Sequence, residues 1–257
     1  MKAPAPPPLF RRTKMSASHA PDRSETNVLA QRTGANERAT RSALDAFGLI
    51  VTPDMSIAQA IGLASGTRGA GGRMLFTEGV WEFPPTGMDI EVGNLEFIAL
   101  SPQRTVFRRV LRGATAVADG MVRIQGANTL IDGIAFEDPH AVAATDYCIE
   151  INDAFGTVDK CSFTGGRTAI YAHRLAFAIR DNDIDMDHQD MILLAGDAYG
   201  MVSGNRLGLN GGATPFIRAS LGGPIAFLGN VLYGGTIEYY AASNSVDAAN
   251  VATVSIL

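Results

Sequence analysis

Asparagine or aspartate recurs at near-regular intervals through the second half of this chain, and each opens a short run of alternating apolar residues. The recurring residues are Asp132, Asp159, Asn182, Asn205, Asn230 and Asn250, at intervals of 27, 23, 23, 25 and 20 residues. In the runs Gly-Ile-Ala-Phe at 133–136 and Arg-Leu-Gly-Leu at 206–209, the second and fourth residues are apolar. Period-two patterning with this repeat, and no helical stretch between strands, predicts a coiled parallel sheet.

Single coils of this size cannot bury their apolar face alone, so neighbouring coils must stack, with equivalent residues about 4.8 Å apart. Asn and Asp tolerate left-handed backbone and form hydrogen bonds in turns, so we expect the recurring residues to form a structural ladder. The expected inner columns are Ile134, Cys161, Ile184, Leu207, Leu232 and Phe136, Phe163, Met186, Leu209. The expected outer column is Gly133, Lys160, Asp183, Arg206, Val231, with Asp183 between two cations.

Charge is unevenly distributed along the 257 residues. Residues 1–42 hold eight Lys or Arg and three acids, a net charge of +5. Because the whole chain has a net charge of −5, the remaining residues have a net charge of −10. A basic arm on an acidic body indicates either an attachment element or a solvated tail. Cys148 and Cys161 are the only cysteines, and we expect both to be reduced, as in a cytoplasm.

Three segments are expected along the chain. Residues 1–40, rich in Pro, Ser and Arg, predict a flexible basic attachment tail, because they cannot bury enough apolar surface to offset ordering entropy. Residues 41–66 are interpreted as a helical linker and cap, with Ser56 as the N-cap of a helix over 56–64. Residues 67–257 are expected to form the parallel sheet, with Asn94 as an earlier member of the Asx series.

A short apolar helix, a Gly-rich loop and then Gly-Arg-Met-Leu-Phe-Thr-Glu-Gly-Val-Trp at 72–81 resemble the opening of right-handed parallel β-helix proteins. This is the pectin-lyase-like superfamily, which includes many phage tail-spikes; Glu78 stands where that family usually has proline. The resemblance covers residues 56–257. It implies an all-β solenoid, a right-handed single-stranded parallel β-helix with a short N-terminal helical cap and a flexible N-terminal tail.

The densest polar cluster, residues 181–190, is the first candidate site. Asp183, Asp185 and Asp187 are expected on one outer face, and alternate strand residues about 6.6–6.8 Å apart fit the carboxylate spacing of a glycoside hydrolase. If the chain is an enzyme, the catalytic candidates are Asp183, Asp185 and His188. Lyases of the resembled fold use Arg or Lys as base, and the candidates are Lys160, Arg180 and Arg206. Asp-x-Asp spacing also suits a hard cation, and a solvated acidic face is the simplest alternative.

Glycan binding without catalysis is a further alternative. Its candidates are Asp185, Asp187, Tyr239 and Tyr240, because neighbouring tyrosines on a strand point to opposite faces and one must be exposed. Tyr171, Tyr199 and Tyr233 are other aromatic side chains that could stack on sugars. Trp81 is expected in the core.

Three functional hypotheses follow, because a fold does not determine a function. The first is a structural component of a phage-like particle, a head- or tail-spike base or adhesin like those of tailed phages and gene transfer agents. It would dock through Phe10, Arg11, Arg12 and Lys14 and carry a receptor- or glycan-binding part. The second is a polysaccharide lyase or hydrolase, and the third a carbohydrate-binding module.

Under the first hypothesis the partners are capsid or tail proteins, a fibre protein, further copies of the chain and a cell-surface polysaccharide. No cofactor, metal, nucleic acid or membrane is expected. The N-terminus lacks the apolar centre of a secretory signal, so we expect assembly in the bacterial cytoplasm. Residues 251–257 form a strand-like run without a capping helix, so we expect another chain to cover that end.

Overall fold

The structure, a computed structural model, describes residues 48–65, 71–110, 120–138, 147–152, 155–173, 176–186, 190–208, 214–239 and 245–256. The chain divides between Ser42 and Ala43 into two units, and every described residue belongs to the second, Ala43–Leu257. The predicted tail and its attachment residues Phe10, Arg11, Arg12 and Lys14 therefore lie outside the described residues.

The second unit is an all-β parallel solenoid of about six turns with one short helix in its described part, which confirms the predicted fold class. Its described strands join in one sheet, and all their pairings are parallel. The chain passes in turn through three faces, which we name the first, second and third face. Each strand pairs with its counterparts one turn earlier and one turn later.

The strands belong to the faces as follows. The first face contains β1 (Leu49–Val51), β2 (Gly72–Phe76), β5 (Leu95–Ala99), β8 (Thr129–Asp132), β11 (Gly156–Asp159), β14 (Ala176–Arg180), β20 (Val246–Ala248) and the later parts of β16 (Asp190–Ser203) and β18 (Phe216–Leu228). The second face contains β3 (Gly79–Phe83), β6 (Thr105–Arg109), β9 (Ala135–Asp138), β12 (Ser162–Gly165), β15 (Asp183–Asp185), β17 (Arg206–Leu207) and the beginnings of β19 (Val231–Tyr239) and β21 (Val251–Ile256). The third face contains β4 (Met88–Ile90), β7 (Gly120–Ile124), β10 (Tyr147–Asn152), β13 (Thr168–His173), the beginnings of β16 and β18, and the later parts of β19 and β21.

Alternate residues of most strands point inward and form a single apolar core. Phenylalanines dominate the core of the earlier coils: the Phe136 ring lies 5.6 Å from Phe107 and 5.1 Å from Phe163, between ring centroids. Trp81 is buried, as expected, and packs edge-on against Phe76 at 5.2 Å. Phe107, Phe136 and Phe163 lie in successive coils, so their ring contacts join each coil to the next.

The predicted cap helix is confirmed as α1 (Ile57–Ser65). Ser56 and Gln59 form a reciprocal cap, in which the Gln59 N–H donates to Ser56 Oγ and the Ser56 N–H donates to Gln59 Oε1. Ile57 and Ala60 are buried against the solenoid. The helix thus packs on the early strands of the solenoid by its apolar side.

The prediction of a helical linker and cap over residues 41–66 is wrong for residues 49–51, which form the strand β1. Leu49, Ile50 and Val51 are extended and pair with Met74, Leu75 and Phe76 of β2. Backbone hydrogen bonding to an existing sheet outweighs the weak local preference of three apolar residues. Within the helical segment, residues 41–47 lie outside the described part of the chain.

The corner between the first and second faces corrects the expected register. Ser162 pairs with Asp183, so Cys161, and not Asp159, is equivalent to Asn182. Phe163 pairs with Ile184 and Ile184 with Leu207, so the observed inner column is Phe136, Phe163, Ile184, Leu207, Leu232. The expected pairing of Lys160 with Asp183 and of Phe163 with Met186 is therefore wrong by two residues.

The physical cause of the shift is a left-handed residue at each corner. The corner residues are Gly133, Lys160, Asp181, Gly204, Gly229 and Ala249, all with positive φ between 50° and 71°. Asp132 and Asp159 precede their corner residue, whereas the four asparagines from Asn182 onward follow theirs. Asn94 belongs to a different corner, where its Oδ1 accepts a hydrogen bond from Asn128 Nδ2 at 3.1 Å.

Both cysteines are free thiols and are buried. Cys161 points inward, as expected, and burial raises the pKa of its thiol to about 12. It is therefore a protonated, unreactive side chain at neutral pH.

Candidate functional site

Four asparagines form a buried amide ladder along one edge of the solenoid, which we call the asparagine ladder. Its members are Asn182, Asn205, Asn230 and Asn250. In each step the backbone N–H and the Nδ2 of one asparagine donate to the Oδ1 of the next. From Asn182 to Asn205 these distances are 3.1 and 2.8 Å, and from Asn205 to Asn230 they are 3.1 and 2.9 Å.

Each ladder asparagine also donates from Nδ2 to a carbonyl oxygen of the preceding coil. Asn182 donates to Val158 at 3.2 Å, and Asn205 donates to Ile179 at 3.0 Å. Asn182, Asn205 and Asn230 have no exposed surface, and their buried polar atoms are satisfied by one another. The ladder is therefore structural, as expected for four of the six recurring residues.

Asp132 and Asp159, the other two predicted members, form a separate group that we call the aspartate pair. They are direct neighbours across β8 and β11. Asp159 is 8% exposed; its Oδ2 accepts from Arg180 Nη2 at 2.9 Å and lies 3.7 Å from Lys160 Nζ. Burial raises the pKa of Asp132, and the negative charge of Asp159 adds to the increase while Lys160 and Arg180 oppose it. The Asp132 carboxyl, whose pKa is raised, thus lies beside the Asp159 carboxylate, which is paired with Arg180.

The predicted acidic cluster is described only in part, because Asp187 and His188 lie outside the described residues. Asp183 lies on the outer side of the second face, where its carboxylate accepts two hydrogen bonds from Arg206 at 2.7 and 2.9 Å. Asp185 lies two residues further along the same strand, on the same side. Asp183 is therefore held in a bidentate ion pair that leaves its carboxylate neutralised.

All three cations considered as catalytic bases are ion-paired. Arg206 is held by Asp183, while Arg180 and Lys160 both face Asp159. The Asp183 hydrogen bond and charge raise the pKa of Arg206. The guanidinium of Arg206 therefore stays protonated at neutral pH and is not prepared to act as a base.

Arginine–carboxylate pairs recur between neighbouring coils on all three outer faces. On the third face Arg123 binds both carboxylate oxygens of Asp89, at 2.5 and 2.9 Å, and its hydrogen bond lowers the pKa of Asp89. Other such pairs include Arg73–Glu96, Arg108–Glu137, Arg206–Asp183 and Arg218–Glu238. Such exposed pairs favour the observed register but add little stability individually.

The tyrosines differ from the expected glycan candidates. Tyr239 is only 7% exposed and stacks on Phe227 in the core, so its assignment to a glycan site is wrong. Tyr240 lies outside the described residues. Tyr171 stacks on Tyr147 at 4.5 Å and on His173 at 5.8 Å, so its ring already contacts two other rings.

Among the tyrosines that the structure describes, Tyr233 and Tyr199 are the most exposed, at 53% and 46%. Sequence reasoning named both as aromatic candidates but did not distinguish them from Tyr239. Tyr239 differs from them because it lies two residues after Ile237 on the same strand. Ile237 pairs with Ile217 in the core, so the side chains of both Ile237 and Tyr239 point inward.

Within the described residues, no helix is both long and apolar enough to cross a membrane, and no three His, Cys, Asp or Glu side chains converge as metal ligands. No protein-family model, curated protein or solved structure gives a match to this chain.

Proposed function

We propose that this chain is a structural component of a phage-like particle, a head- or tail-spike base or adhesin that docks through its basic N-terminal arm. The observation that carries the proposal is the charge separation, with +5 in residues 1–42 and −10 in the remainder. The division of the chain into Met1–Ser42 and Ala43–Leu257 follows the same boundary. A basic arm that precedes an acidic solenoid is suited to binding an acidic protein surface.

The construction of the solenoid supports a load-carrying role over a catalytic one. Its buried amides are consumed in the asparagine ladder, and its outer arginines are neutralised by carboxylates of the neighbouring coil. The segment that resembles the pectin-lyase-like superfamily and its phage tail-spikes spans β2 and the start of β3, where Met74, Phe76 and Trp81 are buried. The right-handed, pectin-lyase-like assignment is part of this proposal.

The proposed partners are a capsid or tail protein bound by the arm, a fibre protein, and further copies of the chain. The proposed location is the particle itself, assembled in the bacterial cytoplasm. The solenoid would then display or connect a part that binds a receptor or a cell-surface polysaccharide. Neither a cofactor nor nucleic acid is required for any of these contacts.

Particle incorporation tests this function directly. Tagged full-length chain, a variant without residues 1–40 and the triple variant Arg11→Glu, Arg12→Glu, Lys14→Glu are expressed in the particle-producing strain. Particles are then isolated on a density gradient. We expect both arm variants to be lost from the particle fraction, and binding of the intact arm to weaken as salt increases.

The control is Arg104→Glu, a charge reversal at an exposed side chain of the solenoid whose partner is Glu78. It should be incorporated like the unmodified chain. Incorporation of the arm-deleted variant at the normal level contradicts the proposal.

A second candidate function, cleavage of a polysaccharide, is favoured by the aspartate pair. Neighbouring strands are about 4.8 Å apart, close to the separation of about 5 Å in retaining glycosidases, and a carboxyl with a raised pKa is suited to general acid catalysis. Release of reducing ends or unsaturated products from polysaccharides is measured for the unmodified chain, Asp132→Asn, and the triple variant Asp183→Ala, Asp185→Ala, His188→Ala. We expect no turnover; turnover lost in Asp132→Asn or in the triple variant would establish an enzyme instead.

A further inference from the structure

One side of the solenoid presents a surface made of uncharged side chains. On the first face, from β8 to β20, outward residues form two neighbouring columns across six coils. They alternate with buried residues such as Phe177 and Ile179, and each is half-buried or exposed. The first column is Leu130, Thr157, Ala178, Met201, Ala226 and Val246, and the second is Phe155, Ala176, Tyr199 and Pro224. We call these ten residues the uncharged surface.

The uncharged surface differs from the outer sides of the other two faces. There, arginine–carboxylate pairs such as Arg206–Asp183 and Arg218–Glu238 join neighbouring coils. On the first face the charged groups of the described residues lie at the borders of the uncharged surface, and they are Glu96, Asp132, Asp159, Arg180 and Asp197. A contiguous surface of apolar and small residues with a polar border is typical of a protein contact.

The order of side-chain sizes makes the uncharged surface complementary to itself. Ala178 and Met201 are neighbours in the first column, and Ala176 and Tyr199 are neighbours in the second. A two-fold axis that is parallel to the strands and passes between these coils reverses the order of the coils and keeps each column opposite itself. Each large side chain then meets a small one of the second copy, as close packing requires. The opposed pairs are Met201 with Ala178, Tyr199 with Ala176, Thr157 with Ala226, and Leu130 with Val246.

A two-fold axis along the solenoid gives a poorer fit. It places equal coils opposite each other, so Met201 meets Met201 and Ala178 meets Ala178. Two large side chains then hold the surfaces apart, and the alanines face a gap, which loses contact on both sides. The arrangement with reversed coils is therefore the better packed of the two.

We propose that the uncharged surface joins two copies of this chain face to face in a two-fold dimer. Residues 43–257 carry a net charge of −10, so two solenoids repel one another unless they meet where charge is absent. A basic partner would instead be drawn to the acidic groups elsewhere on the solenoid. Because one partner covers the surface completely, the contact closes on itself and gives a dimer. The dimer goes beyond the proposed function, which names further copies of the chain but no surface through which they meet.

The size of the uncharged surface sets the strength of the contact. It spans six coils, about 24 Å along the solenoid, and two columns about 6.6–6.8 Å apart. A surface of this size is at the lower end of specific protein contacts. We therefore expect a dissociation constant in the micromolar range, about 1 to 100 μM.

Sedimentation equilibrium of the purified full chain tests the dimer, at about 1 to 500 μM. Met201→Glu brings a charge to the centre of the surface, and Tyr199→Ser removes a large side chain without adding a charge. The matched control is Val80→Glu, at a valine of the second face that is 40% exposed. We expect the dissociation constant to rise about tenfold or more in both surface variants and to stay unchanged in the control. Circular dichroism and melting temperature of each variant are the folding controls.

Cross-linking tests the orientation of the two copies. Facing sheets pack about 10 Å apart, so a bis-maleimide with a spacer of about 8 Å can join thiols at opposed positions. In a mixture of two single variants, Thr157→Cys and Ala226→Cys, we expect a cross-linked dimer. Ala226→Cys alone should give none, because its two copies lie three coils apart across the contact. Cys148 and Cys161 are buried and should not react.

The proposal is overturned if the unmodified chain stays monomeric over the whole concentration range or forms a trimer. It is also overturned if Val80→Glu weakens the dimer as much as Met201→Glu, or if Ala226→Cys cross-links to itself as readily as the mixture does. These measurements use purified chain without particles. A failure of the dimer is therefore distinct from a failure of the proposed function, which is detected by normal incorporation of the arm-deleted chain.

Discussion

In the earlier coils the residue that follows the left-handed corner is apolar or a thiol, Ile134 and then Cys161, whereas in the later coils the same position is asparagine. The earlier coils are held by packed phenylalanines such as Phe136 and Phe163, whose contacts involve no hydrogen-bond donor or acceptor. The later coils are held by amides that each require one partner above and one below. The comparison teaches that one solenoid can obtain its register from shape in one half and from hydrogen-bond direction in the other.

Replacing a ladder amide by a carboxylate should produce the largest effect. Asn205→Asp loses the two Nδ2 bonds to Ile179 and Asn230 and places a charge where no surface is exposed. We expect a loss of about 5 kcal/mol in the free energy of unfolding, measured by chemical denaturation.

The control for that substitution is Asn128→Asp, at an exposed corner asparagine whose amide makes one hydrogen bond to Asn94. Its loss should stay below about 1 kcal/mol. Similar losses at Asn128 and Asn205 would show that the ladder is no more than a set of surface turns.

Removing a phenylalanine ring from the core of the earlier coils should produce the next largest loss of stability. Phe136→Ala leaves a cavity between Phe107 and Phe163, and we expect a loss of about 3 to 4 kcal/mol. Phe155→Ala, at a phenylalanine that is 42% exposed, should cost much less. If the two variants unfold at the same denaturant concentration, the phenylalanine stack does not hold the earlier coils.

Introducing an asparagine at Cys161 would extend the asparagine ladder into the earlier coils and so tests the comparison further. The Cys161 thiol lies 3.7 Å from the Ile131 carbonyl oxygen, so it occupies the place where a ladder amide would donate to the preceding coil. The Cys161 N–H already donates to Asn182 Oδ1, as the ladder asparagines do. Cys161→Asn should therefore extend the ladder by one coil and change stability by no more than about 1 kcal/mol. Cys161→Leu, which supplies no donor, should be the less stable variant; the reverse order would contradict this account.

The smallest effect concerns the aspartate pair and depends on pH. The folded pKa of Asp132 is raised by burial, so its contribution to stability is complete below its unfolded pKa of about 3.9 and is lost as pH rises through the folded pKa. Asp132→Asn should remove that loss, so the variant gains relative to the unmodified chain at neutral pH. Melting temperatures from pH 3 to 8 measure the difference, and parallel curves for the two proteins would exclude it.

The solenoid could be predicted because apolar alternation persists across many coils, and inward residues such as Phe163 and Ile184 are buried as that alternation requires. Which residues belong to the ladder could not be predicted, because the sequence does not show whether an Asn or Asp comes before or after the left-handed corner residue. Lys160, Asp181 and Ala249 adopt positive φ without being glycine, so no residue type marks those three corners. Arg206 beside Asp183 was predicted from the later repeats, where the interval between asparagines equals the true coil length.

The left-handed residue that recurs at each corner between the first and second faces affects how this solenoid tolerates insertions. Successive corner residues are separated by 27, 21, 23, 25 and 20 residues, yet the strands on either side of each corner pair in step. Differences in length are absorbed between corners, as in the shifted pairing of β16 with β18. Extra residues in a connecting segment cost little closure entropy. Insertions there would lengthen one coil and leave its neighbours aligned, so the protein can acquire a new surface loop while keeping the same core.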